Sequence, residues 1–331
     1  MKNFIFIVLI ILITSCQNKK EYKTIGSIER FDSSINDIIS PNAKPEIIAE
    51  GFKWSEGPLW IEKNKMLLFS DVPSNTIYKW TEEKGKELYL TPSGYTDTLK
   101  RGGEMGSNGL TVDNDNHLIL CQCGNRQMAR MNASFEKPEA NFTAIASSYQ
   151  GKKFNSPNDV VYNSKGEMFF TDPPYGLEKQ MNDPKKELAF QGVYKVTKEG
   201  KLILLIDSLT RPNGILFFPG EKTILISNSD ADKPNWYAYD INNDSLINPR
   251  IFYSVAGYDR SLKGGPDGMK MDKNGNIFSA SPGGIILLNQ QGKLLGRIKL
   301  PDASSNCALS ADEKTLYITN NMYVLRLKMR D

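Results

Sequence analysis

The sequence predicts an all-β fold, a six-bladed β-propeller with a central metal site, on three observations. Short runs rich in Ile, Val, Leu, Phe and Tyr alternate with Asp, Asn, Gly and Lys turns up to the C-terminus, and helical periodicity is scarce. Six polar residues, Glu56, Asn108, Asn158, Asn213, Asp267 and Asn306, each lead an apolar strand, spaced about fifty residues apart except for a shorter last interval, the length of one propeller blade. Each of these anchors is followed 12 to 14 residues later by the end of a second apolar run, which closes on a small or polar residue.

The chain of 331 residues opens on Met1-Lys2-Asn3 and an unbroken apolar run from Phe4 to Ile13. Ten apolar residues are too few to cross a bilayer as a helix, so the run reads as the h-region of an export signal. It ends in Leu12-Ile13-Thr14-Ser15-Cys16, which resembles a bacterial lipobox. The expectation is a lipoprotein signal peptide over 1–15, lipidation at Cys16, and a chain held on the periplasmic side of a bacterial envelope. Residues 16–44, polar with little apolar pattern, are expected to form a flexible tether, and 45–331 the propeller.

The propeller part, roughly 285 residues, exceeds the usual single-core size, which favours two domains or a repeat. The second strands of the six units are predicted at 65–70, 117–121, 167–171, 223–227, 276–279 and 315–319, most followed by a third strand such as 76–80, 192–196 or 323–327. A connecting strand such as 202–206 completes a four-stranded blade, and six blades closing radially leave a central channel.

Net charge is +3, with both signs interspersed and no basic patch carrying interleaved aromatics, which argues against nucleic acid as a partner. Cys121, Cys123 and Cys307 remain once Cys16 is set aside; Cys121 and Cys123 are expected on one face of one strand, as buried small hydrophobes. The sole histidine, His117, follows turn residues, which weighs against Ser-His-Asp hydrolysis and histidine-based zinc sites.

Equivalent positions of a circular repeat converge on its axis, so the six anchors form a ring of two carboxylates and four amides. Carboxylates that close repel unless a cation holds them, and an oxygen-only shell suits Ca²⁺, with Mg²⁺, Mn²⁺ or Zn²⁺ where geometry permits. The competing reading of Asn108-Gly109, Asn213-Gly214 and Asp267-Gly268 is that each is a hairpin turn. Separate turns downstream already close the hairpins, which favours ligands.

The segments Ser55-Glu56-Gly57-Pro58-Leu59-Trp60, Asn155-Ser156-Pro157-Asn158-Asp159-Val160-Val161, Thr171-Asp172-Pro173-Pro174-Tyr175-Gly176, Arg211-Pro212-Asn213-Gly214-Ile215 and Gly265-Pro266-Asp267-Gly268-Met269 resemble those of the SMP-30/gluconolactonase family, in order and spacing, from about residue 46 to the end. The resemblance implies a calcium-type metal enzyme that hydrolyses sugar lactones. Its ligands would be Glu56, Asn213 and Asp267, with Asn158 as a fourth ligand or a substrate contact. In that chemistry the cation polarises the lactone carbonyl and activates water. Asp267 is then a catalytic candidate for removing the water's proton, and Asp172 is a second acid-base candidate, a substrate contact or a strand-terminal turn. Asn108 and Arg126 are candidate substrate contacts, and Arg101, Glu104 and Arg260 are loop charges near the channel mouth. Many bacterial members carry a His where this chain has Cys123, which leaves the choice of lactone open. An organophosphate or ester hydrolase on the same site, or a propeller that binds sugar or protein without catalysis, are the alternative readings.

Overall fold

In a computed structural model that describes residues 21–99 and 101–330, the six predicted units are six antiparallel blades. Blade 1 is built from Ser55–Ile61, Met66–Asp71, Thr76–Thr81 and Gly85–Leu90, and blade 2 from Ser107–Val112, Leu118–Gln122, Gln127–Met131 and Phe142–Ala146. Blades 3 and 4 begin with Val160–Tyr162 and Pro212–Phe217, and blades 5 and 6 with Met269–Met271 and Ser304–Leu309. These first strands touch one another in ring order, the last against the first, so they line the channel.

The second strands are continuous apolar runs because both faces of each blade are covered. Leu68 packs into the seam between blades 1 and 2, while its neighbours Leu67 and Phe69 pack into the seam between blades 6 and 1. The same alternation in the other blades divides the core into six hydrophobic clusters, one per seam.

The ring is closed by the N-terminal side of the chain. Glu46–Glu50 supplies the outer strand of blade 6 by pairing with Tyr323–Lys328, with Glu46 opposite Arg326. The Arg326 guanidinium, itself buried, donates to Glu46 at 2.8 Å, pairs with Glu82 and lies against the rings of Tyr22 and Trp80.

The expected flexible tether over 16–44 is corrected for its described part. Ser27–Arg30 adds a fifth strand to blade 5 against Leu294–Lys299, and a short 3-10 helix, Ser33–Asp37, follows. Ile35, Ile38 and Ile39 are buried in the cluster between blades 5 and 6. These isoleucines stand apart in a polar sequence, so they present no strand or helix period, yet three buried branched side chains suffice to hold the segment down. The signal peptide over 1–15 and the lipidation site Cys16 lie outside the described residues.

Candidate functional site

All six anchors stand at the start of their inner strands, at one end of the channel. Glu56 and Asn108 are second residues of their strands, Asn213 likewise, Asn306 is the third of its own, and Asn158 and Asp267 immediately precede theirs by two positions. Glu56, Asn108, Asn158 and Asn213 are no more than 3% exposed, whereas Asp267 keeps partial access to solvent.

The glycines that follow four of the anchors are not hairpin turns. Gly109 and Gly214 lie within inner strands with φ outside the left-handed region, and their role is close approach. A Cβ on Gly109 would stand 2.6 Å from the carbonyl oxygen of Asn158, and one on Gly214 2.4 Å from that of Asp267. Each glycine lets the next blade's anchor come to the axis; the amide of Gly109 donates to the Asn158 carbonyl at 2.7 Å.

The interval of 12 to 14 residues has a physical meaning as well. It brings each anchor beside the end of its own second strand, Glu56 opposite Ser70 and Asn306 opposite Thr319. The hydroxyl there reaches the next blade: Ser70 donates to the carbonyl of Asn108 at 3.0 Å, Thr171 to that of Asn213 at 2.7 Å and Ser227 to that of Asp267 at 2.9 Å. In blade 2 the same place holds Cys121, which is fully buried.

One residue further on, a polar side chain braces the loop that carries the anchor. Asp71 accepts from the amides of Lys53 and Trp54, at 3.1 and 3.0 Å, and Asn228 accepts from that of Arg211 at 2.7 Å. Asp172 belongs to this series. It is wholly buried, its Oδ1 accepts from the Ser156 amide at 2.7 Å, and its Oδ2 accepts from the Asn155 amide at 2.8 Å and from the Asn155 side chain at 3.1 Å. Burial still pushes the Asp172 carboxyl up to about 7 against those amides. The geometry makes it a brace for the 155–158 loop, with neither oxygen turned to the channel as an acid-base group requires.

Side-chain oxygens remain for a ligand. Asn213 donates its Nδ2 to Ser229 Oγ at 2.9 Å, which orients the amide and leaves its oxygen free. Glu56 and Asp267 each accept a bond from the glycine amide that follows, at 3.1 and 3.0 Å, and Glu56 accepts a further one from the Trp54 side chain. Asn306 instead turns its oxygen to the Cys307 amide at 2.8 Å and serves the framework.

Electrostatics mark the same place. Burial, then the nearby Glu104 carboxylate, push Glu56 up to about 8, with the Gly57 amide opposing. Burial, then Glu56, push Asp267 well above the carboxylate range. Burial alone pushes Glu104 up to about 7. Neighbouring carboxyl groups need a cation to be held charged together, and Glu56 and Asp267 with the free oxygen of Asn213 are donors of the type a hard divalent ion takes. Glu104 and Asp159 carry no repeat signature, so spacing alone does not point to them. Tyr175 lies against Ser229, Arg211 and Asp267, and burial pushes its phenol up to about 12.

Other expected contacts are placed differently. Arg126 is buried, with Nε donating to the Phe154 carbonyl at 2.6 Å and Nη1 to that of Lys185 at 3.0 Å, so its guanidinium clamps backbone. Asn108 stands in the ring with its side-chain amide unbonded among the described residues. Arg101 and Arg126 border a cleft of about 460 Å³ on one side of the channel, and Arg260 borders one of about 470 Å³ with Ser229 and Pro266 on the other. Cys123 lies past the end of its strand, in the turn after Gln122, with Sγ 3.2 Å from the Pro157 carbonyl; all three described cysteines are free and buried. His117 sits on the blade 2 hairpin with Asp113 and Asp115, where Asp113 accepts from the backbone amides of both, at 2.8 and 3.0 Å.

The model of the SMP-30/Gluconolactonase/LRE-like region matches residues 54–321. The chain is 34% identical to a gluconolactonase of Zymomonas mobilis, over 96% of this chain and 90% of that protein. A solved gluconolactonase of Xanthomonas campestris superposes with a TM-score of 0.80 at 26% identity, covering 95% of this chain and 99% of the other. A calcium-binding protein, regucalcin, of Agrobacterium tumefaciens shares the fold with a TM-score of 0.66 at 16% identity, over 86% and 94% of the two chains. With the anchors, their glycines and the closed six-bladed ring in place, the chain belongs to the SMP-30/gluconolactonase/LRE-like family.

Proposed function

We propose that this protein is a lactonase that opens sugar lactones by hydrolysis at a divalent cation held by Glu56, Asn158, Asn213 and Asp267. The observation that carries the reading is the convergence of the inner-strand starts, which brings the anchors Glu56 and Asp267 to one end of the channel with Asn213, whose amide is oriented by Ser229 and whose oxygen has no donor among the described residues. The gluconolactonase relatives supply the reaction class. An oxygen-only donor set favours Ca²⁺ over softer ions.

When bound, the cation supplies Lewis acidity toward a carbonyl and acidity to water. The residues of the chain do the rest. Asn213, oriented by Ser229, and Asn158, on the loop that Asp172 braces, fix the donor geometry. Asp267, the partly open member, borders the approach of substrate together with Tyr175. We further propose lipidation at Cys16, which places the enzyme on the periplasmic face of a bacterial envelope.

A pH-stat assay over a panel of sugar lactones, simple lactones, aryl esters and a phosphotriester, with and without chelator, tests this. Metal-dependent opening of sugar lactones is the expected result. Preference for the phosphotriester would give the site to organophosphate hydrolysis, and no turnover with bound metal would leave a binding propeller.

A further inference from the structure

We propose that the cleft between blades 4 and 5, beside the channel mouth, is a subsite for a second sugar ring, so that the preferred substrates are aldonolactones carrying a glycosyl substituent. This rests on the lactonase reading above and narrows its substrate class.

The cleft holds about 470 Å³, a volume in the range of small-molecule sites, and Ser229 and Pro266 border it. Both residues also touch the proposed centre. Ser229 accepts from the Asn213 side chain at 2.9 Å and donates to the Pro266 carbonyl at 2.5 Å, and Pro266 immediately precedes Asp267. A lactone opened beside Asp267 thus has this cleft next to it. Its walls are fixed from both blades: the Val255 amide donates to the Pro234 carbonyl at 3.1 Å, and the Gly283 amide to that of Lys263 at 2.8 Å. Tyr258 is held by its hydroxyl, 2.6 Å from that of Tyr253.

The lining decides what fits. Pro234, Pro266, Pro282 and Tyr258 offer apolar faces, against which the C–H face of a pyranose packs. Asp232, Asp259 and Arg260 stand exposed around them, and the Arg260 guanidinium has no hydrogen bond or ion pair among the described residues. Carboxylates only accept and a guanidinium only donates, so hydroxyl groups, which do either, answer both. An alkyl or aryl substituent would strip these charges of water and return nothing. An anionic one would meet Asp232, Asp259 and Asp267 against a single arginine. A neutral polyol satisfies the whole set.

A glycine keeps the space open. Gly265, also on the border of the cleft, has a φ outside the left-handed region, and a Cβ built on it meets nothing within 4 Å. Neither backbone conformation nor packing demands glycine there, whereas a larger side chain would take up room beside the centre. The cleft of about 460 Å³ on the other side of the channel differs in its cations: Arg101 and Arg126 are committed to the backbone carbonyls of Gly124, Gly176 and Phe154. No guanidinium is left there to meet a sugar.

Steady-state rates with Ca²⁺ present should compare gluconolactone with cellobionolactone, its glucosylated counterpart, and with a lactone bearing an alkyl chain. Expected for the wild type is a kcat/KM for cellobionolactone about 10-fold above that for gluconolactone, expressed mainly in KM. Gly265→Leu, which fills the cleft, and Arg260→Ala, which removes a side chain without a protein partner, should each lower that ratio by about 10-fold. A fault in folding would depress both rates together and spare the ratio; should Gly265→Leu not fold at all, Arg260→Ala decides. A wild-type ratio of one or less, a ratio unchanged in the folded variants, or a preference for the alkyl lactone that Gly265→Leu abolishes would each overturn the subsite. If the wild type opens no lactone, the lactonase reading itself fails, which is a separate outcome. Calorimetric titration with cellobiose then decides the subsite: binding weakened in both variants supports it, and no binding to the wild type overturns it.

Discussion

Thr171 donates its hydroxyl to the backbone carbonyl of Asn213, 2.7 Å away across the seam between blades 3 and 4. Blade packing and the placement of Asn213, a proposed ligand, are thereby one interaction. Thr171→Val keeps the side-chain volume and leaves a buried carbonyl without its donor, at a cost of about 1–3 kcal/mol. Urea denaturation should show the midpoint fall at unchanged slope, and Ca²⁺ titration should show weaker binding. Equal stability of the two proteins would mean that the hydroxyl contributes nothing beyond packing.

Glu56→Gln should abolish cation binding and lactone turnover together, while the metal-free protein becomes more stable. The wild-type carboxyl is pushed up to about 8 by burial and by Glu104, so its charge is unfavourable in the folded state. A scanning calorimetry comparison in chelator checks the sign; a drop in melting temperature would show that Glu56 stabilises the empty channel.

The pH dependence follows from the same shift. Between its ordinary value of 4.5 and about 8 the folded Glu56 holds a proton that the unfolded chain has released. The folded state binds more protons in that window, so the stability of the chelated protein falls as pH rises through it. Cation binding must expel those protons, and affinity should climb with pH over the same range. Calorimetric titrations in two buffers of different ionisation enthalpy read the proton release directly. Equal heats in both buffers would contradict it.

Asp172→Asn replaces one acceptor oxygen by an NH₂ that meets the amides of Asn155 or Ser156. Loss of about 2 kcal/mol of stability is expected, with turnover reduced through displacement of Asn158. If Asp172 were instead the acid-base group, activity would vanish while stability and Ca²⁺ affinity stayed at wild-type levels.

Arg326→Ala should destabilise the protein by about 3 kcal/mol, near the lower end for breaking a buried pair, because Glu46 and Glu82 both keep access to water. The ring-closing strand would loosen first. Hydrogen exchange should accelerate in Glu46–Glu50 and Tyr323–Lys328 ahead of the other blades.

Much of this arrangement is legible in the sequence because repetition exposes it. Glu56, Asn158, Asn213 and Asp267 recur in phase, and phase survives even though no single Asn-Gly pair can be told from a turn. Glu104 is not legible in that way, since it lies on a loop without an equivalent in the other blades and gains its meaning only from what encloses it. Asp172 misleads for a different reason: its repeat partners Asp71 and Asn228 show a bracing role, but one is an acid and the other an amide, so chemistry hides the equivalence. Arg126 reads as a candidate substrate contact in the sequence, and only the carbonyls of Phe154 and Lys185 reveal a clamp. The isoleucines 35, 38 and 39 fall outside any period, so packing of the segment before Glu46 could not be foreseen.

The outer strand of blade 6 is made early in synthesis, and the three strands it completes are made last. Glu46 therefore waits for Arg326, across nearly the whole chain, before either end has its partner. A polypeptide emerging from a ribosome or an export channel can assemble blades 1 to 4 from local hairpins, but the ring stays open until the final residues arrive. Until then the exposed edges of the first and last blades are sites for pairing with other chains. Removing Tyr323–Lys328 alone would therefore leave Thr315–Asn320 and Glu46–Glu50 as two unpaired, reactive edges, rather than a slightly smaller enzyme.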